Sequence, residues 1–71
     1  MQYLVILESG DNSYGAYVPD LPGCVAVGET RDEVLDLIRE AIEFHLEGIR
    51  SQGQAIPAPR YGSQYVEVLP A

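Results

Sequence analysis

The sequence contains no lysine and no tryptophan, and it has a single cysteine and a single histidine. Its four basic side chains are therefore all arginines, and against eleven carboxylates they leave a formal charge of −7 at pH 7. Because binding to DNA or RNA depends mainly on neutralising phosphates, this balance disfavours direct contact with nucleic acid. The charge suits a basic protein partner, although net negative charge also keeps a small protein in solution.

Long apolar runs are missing as well. No segment approaches the about eighteen consecutive apolar residues of a membrane span, and the amino terminus lacks the basic start and apolar run of a signal peptide. The lone Cys24 cannot form an internal disulfide, which is typical of a reducing compartment. We therefore expect a cytoplasmic protein without a membrane segment.

Cys24 and His45 are the obvious candidates for reactive groups, but neither has the neighbouring residues that such a role requires. No cation adjoins Cys24 to lower its pKa, so a small buried apolar residue is expected there. His45 has no second histidine and no suitably spaced cysteine, which favours a packed or dimer-facing side chain over a ligand or base. The sequence predicts no cofactor and no metal site.

With 71 residues the chain has room for one domain, predicted to span 1–71. A core of this size supplies roughly 3–5 kcal/mol unless metals, disulfides or association add to it. We therefore expect a homo-oligomer, a dimer or larger.

Strand chemistry recurs four times. The runs 2–8 and 14–18 predict an antiparallel hairpin, 24–27 a third strand, and 65–69 a last strand that returns to the sheet. Between the second and third strands, Pro19, Pro22 and Gly23 predict a rigid turn. Asp20 is expected to accept hydrogen bonds from amides two residues on, with contact to a partner as the alternative.

A helix should begin after Thr30, where a capping box is expected. The Thr30 hydroxyl would accept from the Glu33 amide, and the Glu33 carboxylate would accept from the Thr30 amide. Gly53 is the predicted stop. Apolar residues from Val34 to Ile49 recur at helical spacing and predict a buried stripe, which Leu35, Leu37 and Phe44 would widen.

The opposite side of this helix is acidic. Its carboxylates are usually just a solvated face, but they are also the best candidates for contact with a basic partner: Asp32, Asp36, Glu40, Glu43 and Glu47. The predicted fold class is α+β, in the order β-β-β-α-β, with one main helix on one face of a mostly antiparallel sheet. Because the strands are apolar at nearly every position, the other face needs a second copy or a partner.

The run 14–30, from Tyr14 through Pro19-Asp20-Leu21-Pro22-Gly23-Cys24 to Thr30, resembles the central signature of HicB-like antitoxins, and the acidic helix and the proline-containing exit at 56–59 are also similar. The resemblance covers essentially the whole chain. It implies a reduced ribonuclease-H-like fold and a protein that binds a small basic HicA-type toxin, an mRNA-cleaving enzyme, and blocks its active surface. Many such antitoxins carry a C-terminal DNA-binding segment, which is expected to be missing from a sequence that ends at Ala71.

Catalysis is not expected. An intact nuclease of the related fold would place an aspartate at the centre of the first strand to help bind divalent metal, whereas this sequence has Leu4-Val5-Ile6 there. Two functions remain open from the sequence. The first is an antitoxin-like module that sequesters a toxin, and the alternative is a solitary homo-oligomeric domain with a structural or regulatory role.

Overall fold

The structure, a computed structural model, describes residues 1–70; Ala71, the last residue of the predicted domain, lies outside the described residues. The chain forms β1 (Ile6–Ser9), β2 (Tyr14–Tyr17), β3 (Val25–Gly28) and α1 (Arg31–Ser51). The strands make one antiparallel sheet in the order β1-β2-β3. The predicted α+β class, with three antiparallel strands followed by one helix, is confirmed, although β1 is shorter than the predicted run 2–8.

The predicted fourth strand at 65–69 is wrong for the chain on its own. Residues 54–70 have neither helix nor strand structure. Residues 63–65 lie beside residues 4–7, but a gap of about 440 Å³ separates the two segments. A strand with apolar residues on both sides needs cover on both faces of the sheet, and α1 covers only one.

The sheet has an inner face toward α1 and an outer face away from it. The cross-strand row of Leu7, Ala16 and Ala26 belongs to the inner face, where Ala16 is buried. The next row contains Tyr14, which packs against the core, and Gly28. Tyr14 and Tyr17 lie on opposite faces, as the strand period predicts.

The turn between β2 and β3 is closed by backbone hydrogen bonds. Leu21 donates its amide to the Val18 carbonyl at 3.0 Å, and Cys24 donates to the Leu21 carbonyl at 3.0 Å. Gly23 has φ of +84°, which a side chain would strain. Two successive turns thus fold the chain back and place the fully buried Leu21 in the core.

The start of α1 matches half of the predicted capping box. Thr30 Oγ1 accepts from the Glu33 amide at 3.1 Å, as expected. The Glu33 carboxylate, however, accepts from the Glu29 amide at 3.3 Å, so the predicted return bond to Thr30 is wrong by one residue. Both bonds still satisfy donors near the helix start, where no intrahelical acceptor exists.

The end of α1 is closed at Gly53, as predicted. Gly53 has φ of +74°, its amide donates to the Arg50 carbonyl at 3.0 Å, and the Gln54 amide donates to the Ile49 carbonyl at 3.1 Å. This is the Schellman arrangement, which requires a left-handed residue just after the helix.

The core lies between α1 and the inner face of the sheet. Its buried residues come from β2, the turn and the helix: Ala16, Val18, Leu21, Cys24, Val34 and Ile38. The predicted buried helix stripe is confirmed at Val34 and Ile38. One face of α1 is consequently committed to the core, and its other face is presented to solvent.

Candidate protein-binding surface

The predicted acidic residues of α1 share one narrow side of the helix, which we call the acidic stripe: Asp32, Asp36, Glu40, Glu43 and Glu47. At about 100° per residue they fall within an arc of about 80°, centred opposite the buried Val34 and Ile38. The stripe runs for about 22 Å along the helix at 1.5 Å per residue. All of its members are exposed.

The acidic stripe has no cationic partner among residues 1–70. The ion pair found in this part of the chain joins Arg60 to Asp20, away from the helix. Like charges three or four residues apart cost a helix a few tenths of a kcal/mol per pair. A basic surface docked on the stripe would replace this repulsion with attraction, and its encounter rate would rise through electrostatic steering.

Phe44 lies beside the acidic stripe, and here the sequence prediction is wrong. It was expected to widen the buried stripe, but the side chain is 80% exposed. On a helical wheel it falls about 40° beyond Glu40 and about 80° from the buried Val34. Aromatic residues next to charges are frequent anchors of protein interfaces, so Phe44 joins the candidate surface.

Asp20, also a candidate contact residue, does not lie on this surface. Its side chain is only 3% exposed. Asp20 Oδ2 accepts from the Arg60 amide at 2.9 Å and from the Tyr61 amide at 3.3 Å, while Arg60 Nε lies 3.8 Å from Oδ1. The expected bonds to amides two residues on are replaced by bonds to amides forty positions away, so this carboxylate holds the C-terminal segment against the body of the protein.

Tyr3 anchors the same segment a few residues earlier. Its hydroxyl donates to the Pro57 carbonyl. Burial raises the pKa of the Tyr3 hydroxyl above its ordinary value of 10.0, and the Asp20 carboxylate raises it further. Tyr3 and Asp20 therefore form a clamp on residues 57–61, which fixes where the rest of the C-terminal segment leaves the domain.

The remaining predicted groups occupy structural positions. Cys24 is buried and unpaired, and burial raises the pKa of its thiol above the ordinary value of 9.0, so the core role expected for it is confirmed. His45 is half-buried on the core side of α1. Within residues 1–70, no three side chains of His, Cys, Asp or Glu converge on a position suited to a metal ion.

An open groove of about 640 Å³ lies between residues 1–5, α1 and residues 61–63. Its walls combine apolar residues such as Val5 and Ile42 with the charged Arg39 and Glu43. Glu43 thus belongs both to the acidic stripe and to the groove.

No helix in residues 1–70 combines the length and the hydropathy needed to cross a bilayer.

The outer face of the sheet is a second, chemically different surface. It carries Ile6, Tyr17 and Val25 in one cross-strand row, and Val27 in the next row. Val25 and Val27 are 62% and 69% exposed, and Tyr17 is also exposed. The expectation that one helix leaves a sheet face uncovered is confirmed.

The sequence is similar to proteins of one antitoxin type. A family model described as the HicB-like antitoxin of bacterial toxin-antitoxin systems matches residues 3–68. An uncharacterized 14.9 kDa protein from the rep-hol intergenic region of Haemophilus phage HP1 is 35% identical over 66 residues, which cover 93% of this chain and 50% of the phage protein. The chain thus spans half the length of that relative.

Two shorter relatives match over more of their own length. A UPF0150 protein of Thermoplasma acidophilum is 40% identical over 80% of this chain and 84% of its own. A UPF0150 protein of Synechocystis is 39% identical over 78% of this chain and 71% of its own. Most of the chain described above is therefore common to these proteins.

Proposed function

Because the chain belongs to the HicB-like antitoxin family, we propose that it binds a small basic toxin of the HicA type and inhibits it by covering its active surface. The family supports a role in a toxin-antitoxin system. The acidic stripe is the observation that carries the proposed contact, since it presents exposed carboxylates that form no ion pair within residues 1–70. A toxin that cleaves RNA needs a positive surface for its substrate, and this is the surface that an acidic stripe would cover.

In this proposal the protein is not itself an enzyme. Leu4, Val5 and Ile6 supply only apolar side chains where a related nuclease would need a carboxylate, and inhibition by occlusion requires shape and charge rather than a reacting group. The net charge of −7 argues against direct binding to nucleic acid, and a toxin acting on messenger RNA places the pair in the cytoplasm.

The first test is association with a purified basic HicA-type protein encoded next to this chain. Asp36→Lys combined with Glu40→Lys should slow association about tenfold or more and weaken its salt dependence, because the stripe would no longer attract a basic surface. Stopped-flow rates at several salt concentrations measure this. An RNA-cleavage assay, with and without the antitoxin, measures inhibition.

A matched control separates the stripe from net charge. Asp11→Lys combined with Glu29→Lys changes the total charge by the same amount but leaves the acidic stripe intact, and both residues are exposed. This variant should retain most of the wild-type rate. Equal slowing by the two double variants would mean that only net charge matters, and unchanged rates in both would remove the helix from the interface.

Phe44 provides an independent test of the same surface. If its ring is buried against the toxin, Phe44→Ala should accelerate dissociation and weaken binding by about 2 kcal/mol, because aromatic anchors dominate interface energies. It should leave the free energy of unfolding nearly unchanged, since the ring is exposed in the free protein. A loss of stability without a loss of affinity would assign Phe44 to folding instead.

The second candidate function is a solitary homo-oligomeric domain with a structural or regulatory role. The exposed apolar outer face favours self-association, whether or not a toxin exists. Light scattering of the purified chain over a range of concentrations tests this. Self-association without a neighbouring toxin gene would favour the solitary role, whereas inhibition of an adjacent basic ribonuclease would favour the antitoxin.

A further inference from the structure

The C-terminal segment contains a strand-like sequence that has no strand partner among residues 1–70. Residues 64–69 read Gln-Tyr-Val-Glu-Val-Leu, and Tyr65, Val66, Val68 and Leu69 are between 73% and 95% exposed. Aromatic and β-branched residues fit a pleated sheet. Four large exposed apolar side chains within six residues form an apolar patch of the kind that marks an interaction site. We call residues 64–69 the terminal segment.

The terminal segment extends away from the body of the domain. The radius of gyration is 14.4 Å, against about 11 Å for a compact domain of this length. The longest dimension is 51 Å, whereas α1 accounts for about 32 Å at 1.5 Å per residue. The clamp formed by Tyr3 and Asp20 fixes the chain only as far as Tyr61, so the terminal segment lies beyond its last anchor.

The sheet has a free edge that this segment matches. β3 pairs only with β2, and its outer edge accepts no backbone hydrogen bond from residues 1–70. Val25 and Val27 stand two positions apart on its outer face, and Val66 and Val68 stand two positions apart in the terminal segment. Because side chains alternate along a strand, pairing the two would set valines beside valines, a favourable cross-strand contact.

The terminal segment does not pair with β3 of its own chain. Residues 63–65 lie beside residues 4–7, on the β1 side of the sheet, and β3 is at the opposite edge. The two edges are separated by two strand spacings, about 10 Å, with β2 between them. To pair with its own β3 the segment would have to leave the β1 side and cross the sheet, whereas a second copy can present its β3 edge directly.

We propose that the terminal segment of one copy adds as a fourth strand to the β3 edge of a second copy, and that the exchange is reciprocal. This inference rests on the self-association proposed above and not on a toxin. It pairs the backbone groups of residues 64–69 and sets Val66 and Val68 beside Val25 and Val27 of the second copy.

Cysteine cross-linking between two distinguishable chains tests the exchange. One chain carries Val27→Cys, and the other carries Val66→Cys or Val68→Cys with a different mass tag. The chains are unfolded together, refolded and oxidised. We expect an interchain disulfide product of mixed mass in at least one combination, since facing strand positions meet the distance limit of a disulfide. The native Cys24 is buried and does not compete.

The matched control places the cysteine on the helix instead. Phe44→Cys is equally exposed but lies away from β3, so with Val66→Cys it should cross-link at least tenfold more slowly. Dimers in which the β3 combinations cross-link no faster than this control would overturn the strand exchange and leave self-association standing. A chain that remains monomeric at every concentration tested by light scattering would overturn both.

A second measurement does not rely on disulfides. Val27→Lys should raise the dimer dissociation constant at least tenfold, and so should removal of residues 63–71, while circular dichroism and the urea midpoint of the monomer stay near those of the full chain. Phe44→Lys should leave the constant unchanged. Dissociation caused by Phe44→Lys, with Val27→Lys silent, would move the dimer interface to the helix and contradict the proposal.

Discussion

The carboxylate of Asp20 accepts a hydrogen bond from the backbone amide of Arg60, forty positions away in the sequence, at a distance of 2.9 Å. The same oxygen accepts the Tyr61 amide, and the side chain is buried beneath the segment that it holds. A turn aspartate thereby becomes the anchor of the C-terminal segment, and it determines the direction in which residues 62–70 leave the domain.

Replacing this anchor should loosen the C-terminal segment. Asp20→Ala leaves two amide donors without their carboxylate, and we expect a loss of about 1–3 kcal/mol in the free energy of unfolding. Asp20→Asn should lose less, because its amide oxygen remains an acceptor. Urea denaturation measures the loss, and hydrogen exchange should show faster exchange at the Arg60 and Tyr61 amides. The exposed Asp11 serves as control: Asp11→Ala should be nearly neutral, and an equal effect there would contradict the anchor.

Two glycines should respond in opposite ways to alanine. A Cβ on Gly28 would lie 3.0 Å from the Val34 amide nitrogen and 3.3 Å from Glu33 Cγ, because β3 ends against the first turn of α1. Gly28→Ala should therefore destabilise the fold by about 1–3 kcal/mol through overpacking. Gly48 is exposed on α1 with nothing within 4 Å of the added carbon, so Gly48→Ala should stabilise by roughly 0.5–1 kcal/mol. Thermal or urea unfolding of both variants decides it, and destabilisation by both would be inconsistent with this packing.

Tyr3 should make stability sensitive to alkaline pH. Its pKa is raised in the folded state above the unfolded value of about 10, so its contribution is fully present below pH 10 and is lost as the pH rises through the folded pKa. Tyr3→Phe should be less stable at pH 8, because the bond to the Pro57 carbonyl is gone, and the gap from wild type should shrink toward pH 11. Comparing the two proteins at each pH removes the parallel effect of Cys24, whose pKa is also raised. A gap that stays constant from pH 8 to pH 11 would rule out the linkage.

The acidic stripe should lower stability at low ionic strength. Neighbouring carboxylates on one side of α1 repel each other, and added salt screens this repulsion. Glu40→Gln combined with Glu43→Gln should stabilise the protein by a few tenths of a kcal/mol per relieved pair. The double variant should also gain less stability than wild type when NaCl is raised from 20 mM to 500 mM, a change that shortens the screening length from about 20 Å to about 4 Å. Asp11→Asn combined with Glu67→Gln removes the same charge elsewhere and should leave the salt response unchanged. An identical salt response in all three proteins would show that the stripe carries no appreciable repulsion.

Much of the fold followed from short-range patterns. The Thr30 cap, the Gly53 stop and the β2–β3 turn depend on residues within a few positions of one another, so the residue types alone indicate them. The acidic stripe was equally predictable, because helical spacing places Asp36 and Glu47 on one side whatever the helix packs against.

Long-range geometry accounts for what the sequence did not predict. The Asp20 carboxylate could accept hydrogen bonds from nearby or from distant backbone amides, and only the folded chain shows that the donors are the amides of Arg60 and Tyr61. Phe44 is apolar and near the buried stripe, yet its side of α1 has no sheet beneath it. The run 65–69 has strand chemistry, but whether it forms a strand depends on an edge being within reach.

The sequence by itself determined the three antiparallel strands, the acidic helix, the turn between β2 and β3 and the family, because each depends on neighbouring residues or on periodic spacing. Only the tertiary structure decided that Asp20 and Tyr3 clamp the C-terminal segment, that Phe44 is exposed to solvent, and that the β3 edge lies across the sheet from residues 63–65. The physical reason is that these relationships depend on which distant backbone groups and surfaces come together, and local propensity carries no information about distance through space.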